Sequence, residues 1–168
     1  MRTIALVFVL AATACADSTA GVDASPLVDA PPAPLDADGR CPLAINEVAA
    51  AGQPDDWFEL VNVSSATVEL AGFRFIDEVD DPSTAVAFTP GILAPGARAV
   101  QEVRDAVEGF QLGADDALWL YRVGESTHCD GVDWSAGDAP AGGSYSRVPD
   151  GTGSFETTEP DTRGVANR

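Results

Sequence analysis

Lysine is missing from the 168-residue chain, and nine arginines supply all the positive side-chain charge against 27 aspartates and glutamates. The net charge of -18 repels phosphate backbones, and no basic patch marks a nucleic-acid footprint. The mature chain also lacks an apolar run near the ~20 residues that a membrane-spanning helix requires. The composition therefore argues against sequence-independent nucleic-acid binding and against a membrane span in the mature chain.

Histidine and cysteine are scarce, with one His and three Cys. No Cys-x-x-Cys or His-x-x-x-His spacing provides a zinc ligand set. Ser144 and Ser146 lack the glycine that follows two residues after the serine of a nucleophile elbow. We therefore expect no catalytic residue, no metal site and no cofactor, and His128 is expected to be exposed or hydrogen-bonded.

The first 14 residues are typical of a secretory signal peptide. Arg2 supplies the charge, an apolar run follows, and Ala12-Thr13-Ala14 is a small-residue cleavage site. Cys15 comes next, and Ala-Thr-Ala-Cys resembles the lipobox of bacterial lipoproteins. The resemblance implies a lipid on Cys15 that anchors the protein to a membrane surface of the cell envelope, with Ala16 favouring the outer membrane. Ordinary secretion is the alternative, because the same triplet suits it.

The cysteine count favours lipidation, because three cysteines leave one odd thiol in an exported protein. If Cys15 carries lipid, Cys41 and Cys129 remain as a pair. An exported chain normally uses such a pair as a disulfide. The competing hypothesis is a reactive Cys129 with His128 as its base, but adjacent strand residues point to opposite faces.

Residues 15–40 are predicted to be a disordered tether, and residues 41–168 the folded domain. From residue 16 onward the tether has six Ala, five Asp and four Pro and no aromatic residue. Such a composition buries too little apolar surface to offset chain entropy. We expect an acidic, extended spacer between the anchor and the domain.

The domain shows short strand patterns with Gly and Pro between them, and no sustained helical periodicity. This spacing predicts an all-β, immunoglobulin-like β-sandwich. Residues 100–109 are an exception that also fits a short helix, and residues 152–168 are predicted to be an irregular tail. The predicted strands cover residues 43–48, 57–63, 67–70, 73–77, 85–88, 97–103, 107–111, 117–123, 128–134 and 145–148. Alternation predicts which residues share a face of a strand: Leu43, Ile45 and Glu47; Phe58 and Leu60; Phe73 and Phe75; and Leu118 and Leu120, opposite Trp119 and Tyr121.

An ordered set of motifs across residues 41–168 resembles the lamin-tail domain family. The set comprises Ile-Asn-Glu-Val at 45–48, Asp-Trp-Phe-Glu-Leu-Val-Asn at 56–62, Val-Glu-Leu-Ala-Gly-Phe-Arg-Phe at 68–75, Leu-Ala-Pro-Gly at 93–96, residues 110–120, residues 145–151 and Arg-Gly-Val-Ala-Asn at 163–167. The resemblance implies an immunoglobulin-like sandwich that acts as a binding or structural module, with no catalytic residues to transfer. The chain has neither the coiled-coil rod nor the attached hydrolase domain found elsewhere in that family. We therefore expect a non-catalytic interaction module of the cell envelope, with an envelope protein or a glycan as its partner.

Several acidic and aromatic residues have both a functional and a structural interpretation. Glu47 and Glu59 fit an acid/base pair, but hydrogen-bonded structural roles are favoured. The acidic run from Asp77 to Asp81 lacks the Gly and Glu of a calcium loop and is predicted to be solvated, with cation binding left open. Asp115-Asp116 is predicted to be a turn.

The tryptophans (57, 119 and 134) are predicted core residues, although an exposed one would favour a glycan platform. The alternative function is accordingly a calcium-dependent glycan-binding module or a small hydrolase.

Overall fold

The computed structural model describes residues 39–78 and 81–168. The predicted signal peptide, Cys15 and nearly all of the predicted tether lie outside the described residues. The described part contains β1 (Leu43–Ala49), β2 (Asp56–Asn62), β3 (Val68–Glu69), β4 (Phe73–Asp77), β5 (Val86–Ala87), β6 (Ile92–Leu93), β7 (Arg98–Val103), α1 (Asp105–Glu108), β8 (Asp116–Arg122), β9 (His128–Trp134), β10 (Ser144–Val148) and β11 (Ser154–Thr158).

Two antiparallel sheets face each other across one apolar core. The larger sheet has the strand order β11-β10-β1-β2-β7, and the smaller has the order β5-β4-β8-β9, while β3 and β6 form a separate ribbon. This architecture confirms the predicted all-β, immunoglobulin-like β-sandwich. No helix within the described ranges is long and apolar enough to cross a bilayer.

The core forms from the alternate residues that the strand patterns assigned to one face. Phe58 and Leu60 of β2 are fully buried in it, as are Phe75 of β4 and both Leu118 and Leu120 of β8. The rings of Phe58 and Phe75 meet edge to face with centroids 5.0 Å apart, a favoured aromatic geometry. The predicted faces of β2, β4 and β8 are therefore confirmed.

The predicted faces of β1 are wrong after Ile45. The register with β2 shifts between Ile45 and Glu47, so that Val48 joins Leu43 and Ile45 in the core. A β-bulge inserts one extra residue and reverses the alternation beyond it. As a result Glu47 lies opposite Glu59 of β2, on the face of the larger sheet that points away from the core. We call this the outer face; it also carries Trp57 and Val61.

The predicted strand at residues 107–111 is wrong. The chain forms the single helical turn α1 there, and Gly109 ends the turn with a φ of +87°, a left-handed conformation that favours glycine. The Glu108 carboxylate accepts a hydrogen bond from the backbone N–H of Arg104 at 2.8 Å, which satisfies a donor at the start of the turn. The short-helix alternative for residues 100–109 holds only at α1, because residues 100–103 belong to β7.

Other differences concern short strands that depend on distant partners. The predicted strand at 67–70 is reduced to β3, because Leu70–Gly72 forms a 3-10 turn. β6 was not predicted, and it is defined by pairing with β3. β11 lies in the predicted irregular tail, where it pairs with β10 along its whole length.

Candidate functional site

Cys41 and Cys129 form a disulfide whose Cα atoms lie 5.2 Å apart. Cys41 immediately precedes β1 of the larger sheet, and Cys129 belongs to β9 of the smaller one. The predicted disulfide therefore links the two layers of the sandwich. Because Cys129 is oxidised, the hypothesis of a reactive thiol with His128 as its base is wrong.

His128 lies against aromatic residues of the neighbouring strand. Its ring is 4.6 Å from that of Trp119, with a tilt of 32° between the planes. The ring of Tyr121 approaches it edge-on at 6.2 Å. This packing gives His128 a structural environment at the edge of the smaller sheet.

Glu47 and Glu59 are buried on the outer face and accept hydrogen bonds. Oε1 of Glu47 accepts the Ser144 hydroxyl at 2.6 Å and the backbone N–H of Thr162 at 2.7 Å. Glu59 accepts the side-chain amide of Asn46 and the backbone N–H of Gly164, both at 2.9 Å. Burial raises the pKa of Glu59 above its ordinary value, against the lowering effect of the Asn46 hydrogen bond.

The donors Thr162 and Gly164 belong to residues 160–168, which we call the C-terminal strap. The strap lies over the outer face, where Trp57 is 1% exposed, Glu59 0% and Val61 5%. The Arg163 guanidinium lies 5.3 Å from the Trp57 ring, within the range of a cation–π contact. The outer face is therefore a second buried layer.

Asn167 is the main polar anchor of the strap. Its side-chain amide donates to the carbonyl oxygens of Asn46 at 3.1 Å and Arg147 at 2.8 Å. Its backbone N–H donates to Oδ1 of Asp150 at 3.0 Å, and Asp150 also pairs with Arg98. Sequence reasoning assigned no role to these anchors, although Asp150 and Asn167 both stand in motifs that carry the lamin-tail resemblance.

The remaining candidates have local structural roles. The Ser146 hydroxyl bonds to that of Thr158 at 2.6 Å within the larger sheet. The Asp116 carboxylate accepts the backbone N–H groups of Gly113 at 2.7 Å and Ala117 at 2.8 Å, so it fixes the turn before β8. Asp81 accepts the N–H of Ser83 at 2.9 Å, and hydrogen bonds from Ser83, the side-chain one first, lower the pKa of Asp81.

The tryptophans divide into two groups. Trp57 and Trp134 are each 1% exposed, and the Trp134 indole N–H donates to the Gly113 carbonyl at 2.9 Å. Trp119 is half-buried on the face of the smaller sheet that points away from the core. Trp119 is therefore the least buried of the three, but it is not exposed, and the His128 ring packs against it.

Within the described ranges, no group of three or more His, Cys, Asp or Glu side chains is placed to hold a metal ion. Comparison of the chain with protein-family models, with curated proteins and with solved structures gives no match. The fold and the site define a class of protein: a disulfide-bridged antiparallel β-sandwich whose outer face is closed by a C-terminal strap.

Proposed function

We propose that this protein is an exported, non-catalytic interaction or structural module of the cell envelope, related to lamin-tail domains and anchored by a lipid on Cys15. The ordered motif set and the β-sandwich support the relationship. The disulfide supports an oxidising compartment, since such bonds persist in exported proteins. The odd cysteine supports the lipid anchor.

The observation that carries the non-catalytic proposal is the engagement of Glu47 and Glu59 by the strap. Each carboxylate is 0% exposed and accepts a backbone N–H from the strap. A general acid or base must come within hydrogen-bond reach of a substrate. Their burial supports a role in holding the fold rather than in proton transfer.

Intact-mass spectrometry of the mature protein tests the anchor. We expect an N-terminal Cys15 with added acyl mass, and recovery of the protein in the membrane fraction. Cys15→Ser should remove the added mass and shift the protein to the soluble fraction. Cleavage after Ala14 without added acyl mass would indicate ordinary secretion and would contradict the lipid anchor.

A cross-linking pull-down from envelope extracts tests the interaction role. The bait is the full chain, and the matched control is the tether sequence of residues 15–40 fused to an unrelated acidic domain. We expect an envelope protein or glycan enriched only by the full chain. Equal recovery by the control would attribute the binding to charge and contradict a specific module.

The alternative is a calcium-dependent glycan-binding module, for which Trp119 is the candidate because it is the least buried tryptophan. An aromatic ring on a sheet face provides the apolar surface against which a sugar ring packs. Titration of the folded protein with calcium, followed by a glycan screen with and without calcium, tests it. Binding that Trp119→Ala abolishes, with unchanged thermal stability, would favour the alternative. A hydrolase screen run in parallel tests the small-hydrolase version, and turnover in it would overturn the non-catalytic proposal.

A further inference from the structure

A cavity of about 690 Å³ opens at the end of the sandwich where the chain enters the domain. Its walls come from the segment leading into β1, the β8–β9 connection and the turn after β10. The volume lies within the range of about 300–1,000 Å³ that small-molecule sites occupy.

The cavity reverses the charge of the surrounding domain. Three arginines and the single histidine line it, with only two carboxylates: Arg40, Arg122, Arg147, His128, Glu125 and Asp130. Residues 39–168 contain eight arginines and 22 carboxylates, so three of the eight arginines but two of the 22 acids are found here. Three arginines against two carboxylates give the lining a net charge of +1 within a strongly acidic domain, and a locally positive concave surface attracts anions.

The arginines have different roles in the wall. Arg147 is fixed by the carbonyl oxygens of Ile45 at 2.8 Å and Gly153 at 3.2 Å and by Asp130 at 3.2 Å. It therefore offsets the charge of Asp130. Arg122 pairs with Glu125 at 3.4 Å; the Arg122 side chain is 17% exposed and that of Glu125 is 45% exposed. Because Glu125 is the solvent-exposed partner, an incoming anion can compete with it for the Arg122 guanidinium.

The disulfide holds two of the lining residues together. Arg40 precedes Cys41, and His128 precedes Cys129, so the bond places both residues on one wall although they are 88 positions apart. Ordering these segments before a ligand arrives reduces the entropy lost on binding.

We propose that this cavity binds a phosphate group carried by a small organic molecule, with Arg40 and Arg122 as the principal ligands and His128 as a further donor. A guanidinium matches phosphate oxygens with two parallel hydrogen bonds. The volume exceeds that of a phosphate alone, and Leu43 and Val63 give the walls an apolar part that suits an organic substituent. The group comes from a lipid headgroup or from a soluble phosphate ester, and neither source requires the lipid on Cys15.

Calorimetric titration of the full chain carrying Cys15→Ser tests the site, with glycerol 3-phosphate and inorganic phosphate as probes. We expect saturable binding that Arg40→Gln or Arg122→Gln each weakens about tenfold or more, the loss of one charge-assisted contact. Arg104→Gln is the matched control, because Arg104 follows the end of β7 that pairs with Asp56, at the opposite end of the sheet from the cavity. The control should bind each probe with an affinity within about twofold of the parent's, because it removes the same charge at a distance from the cavity.

Thermal unfolding of each variant checks that it is folded. Absence of saturable binding by the folded parent overturns the proposal, and so does an equal loss in Arg104→Gln. Vesicles of phosphatidylcholine, with and without phosphatidylglycerol, distinguish the two sources. Vesicle binding that glycerol 3-phosphate displaces identifies a lipid headgroup, whereas phosphate binding without vesicle binding identifies a soluble ester.

Discussion

Glu59 shows how a buried charge is accommodated on the outer face of the sandwich. Its carboxylate accepts two amide hydrogen bonds, and Arg98 Nε lies 3.3 Å from its Oε1. Removing one partner of a buried charge pair leaves the other uncompensated, which destabilises a protein more than loss of an exposed pair does.

Glu59→Leu is expected to lower the free energy of unfolding by about 3–5 kcal/mol, because it leaves the Asn46 and Gly164 donors without their acceptor and removes one of the two carboxylates that pair with Arg98. The matched control is Glu102→Leu, which removes the carboxylate from a pair with Arg163 whose side chains are 38% and 33% exposed. That substitution should change stability by less than about 1 kcal/mol. Chemical denaturation measures both values, and similar losses in the two variants would contradict the structural role of Glu59.

The strap is the element that closes the outer face, and it does so with polar anchors rather than with a paired strand. The donor–acceptor pairs join positions 105 residues apart at Glu59 and 115 apart at Glu47. Contacts so distant in sequence require the pairing of β1 with β2, which places Glu47 opposite Glu59. The strap therefore depends on the sheet, and the outer-face residues depend on the strap for their burial.

Asn167→Ala should lower the free energy of unfolding by about 2–3 kcal/mol, since it leaves the carbonyl oxygens of Asn46 and Arg147 unpaired. The variant should also expose Trp57 to acrylamide, a soluble fluorescence quencher. Arg168→Ala is the neighbouring control at an exposed position, and it should stay within about 0.5 kcal/mol of the parent. Unchanged stability and quenching in Asn167→Ala would show that other contacts hold the strap.

At the scale of single elements, the sequence correctly predicts the strands in which core-facing and outward-facing residues alternate without interruption. β2, β4 and β8 are such strands, and their core faces follow from the pattern. The residue types around the β1 bulge do not indicate it. The face on which Glu47 lies therefore could not be predicted from alternation. The short strands β3 and β6 are defined by their pairing with each other, which no local pattern predicts. For α1, the glycine at 109 directly after the acidic turn is a helix-end signal present in the sequence.

The candidate site divides in the same way. The Cys41–Cys129 pair follows from counting cysteines, and the structural roles of Glu47 and Glu59 follow from the general rule that buried charges are hydrogen-bonded. The sequence does not identify the hydrogen-bond partners of these two residues. The strap was predicted to be irregular, and no local pattern in it indicates that it packs on β1 and β2. The cationic cavity likewise joins segments that only the folded sheets bring together.

For the whole molecule, the disulfide constrains the largest loop of the domain. The cysteines are 88 residues apart, and the chain-entropy model assigns about 4–5 kcal/mol to closing a loop of that size. The double variant Cys41→Ser and Cys129→Ser should lose stability of that order in chemical denaturation. Non-reducing peptide mapping of the native protein checks the pairing itself, and free thiols at both positions would contradict it.

The pH dependence of stability also belongs to the whole molecule, because several buried or half-buried carboxyl groups have pKa values shifted in the same direction. Burial raises the pKa of Asp56, Glu59, Asp77 and Asp130 above the ordinary 3.8 for Asp and 4.5 for Glu. The folded state holds these protons more tightly than the unfolded chain does, so unfolding releases protons and stability falls as pH rises.

We therefore expect the free energy of unfolding to increase as the pH is lowered from neutral toward the ordinary carboxyl values, and to level off below them. Urea denaturation at a series of pH values measures this trend. Glu59→Gln, which removes one of the titrating groups, should show a shallower dependence. Stability that increases from pH 5 to pH 7 would contradict the assigned directions.

The disulfide that joins the layers also determines how the domain responds to mechanical force. A pull on the chain at Arg40 reaches Cys41, from which the load divides between β1 in one sheet and, through the sulfur atoms, β9 in the other. Tension along the leading segment therefore cannot peel β1 away from its neighbours one hydrogen bond at a time. It must load both sheets together.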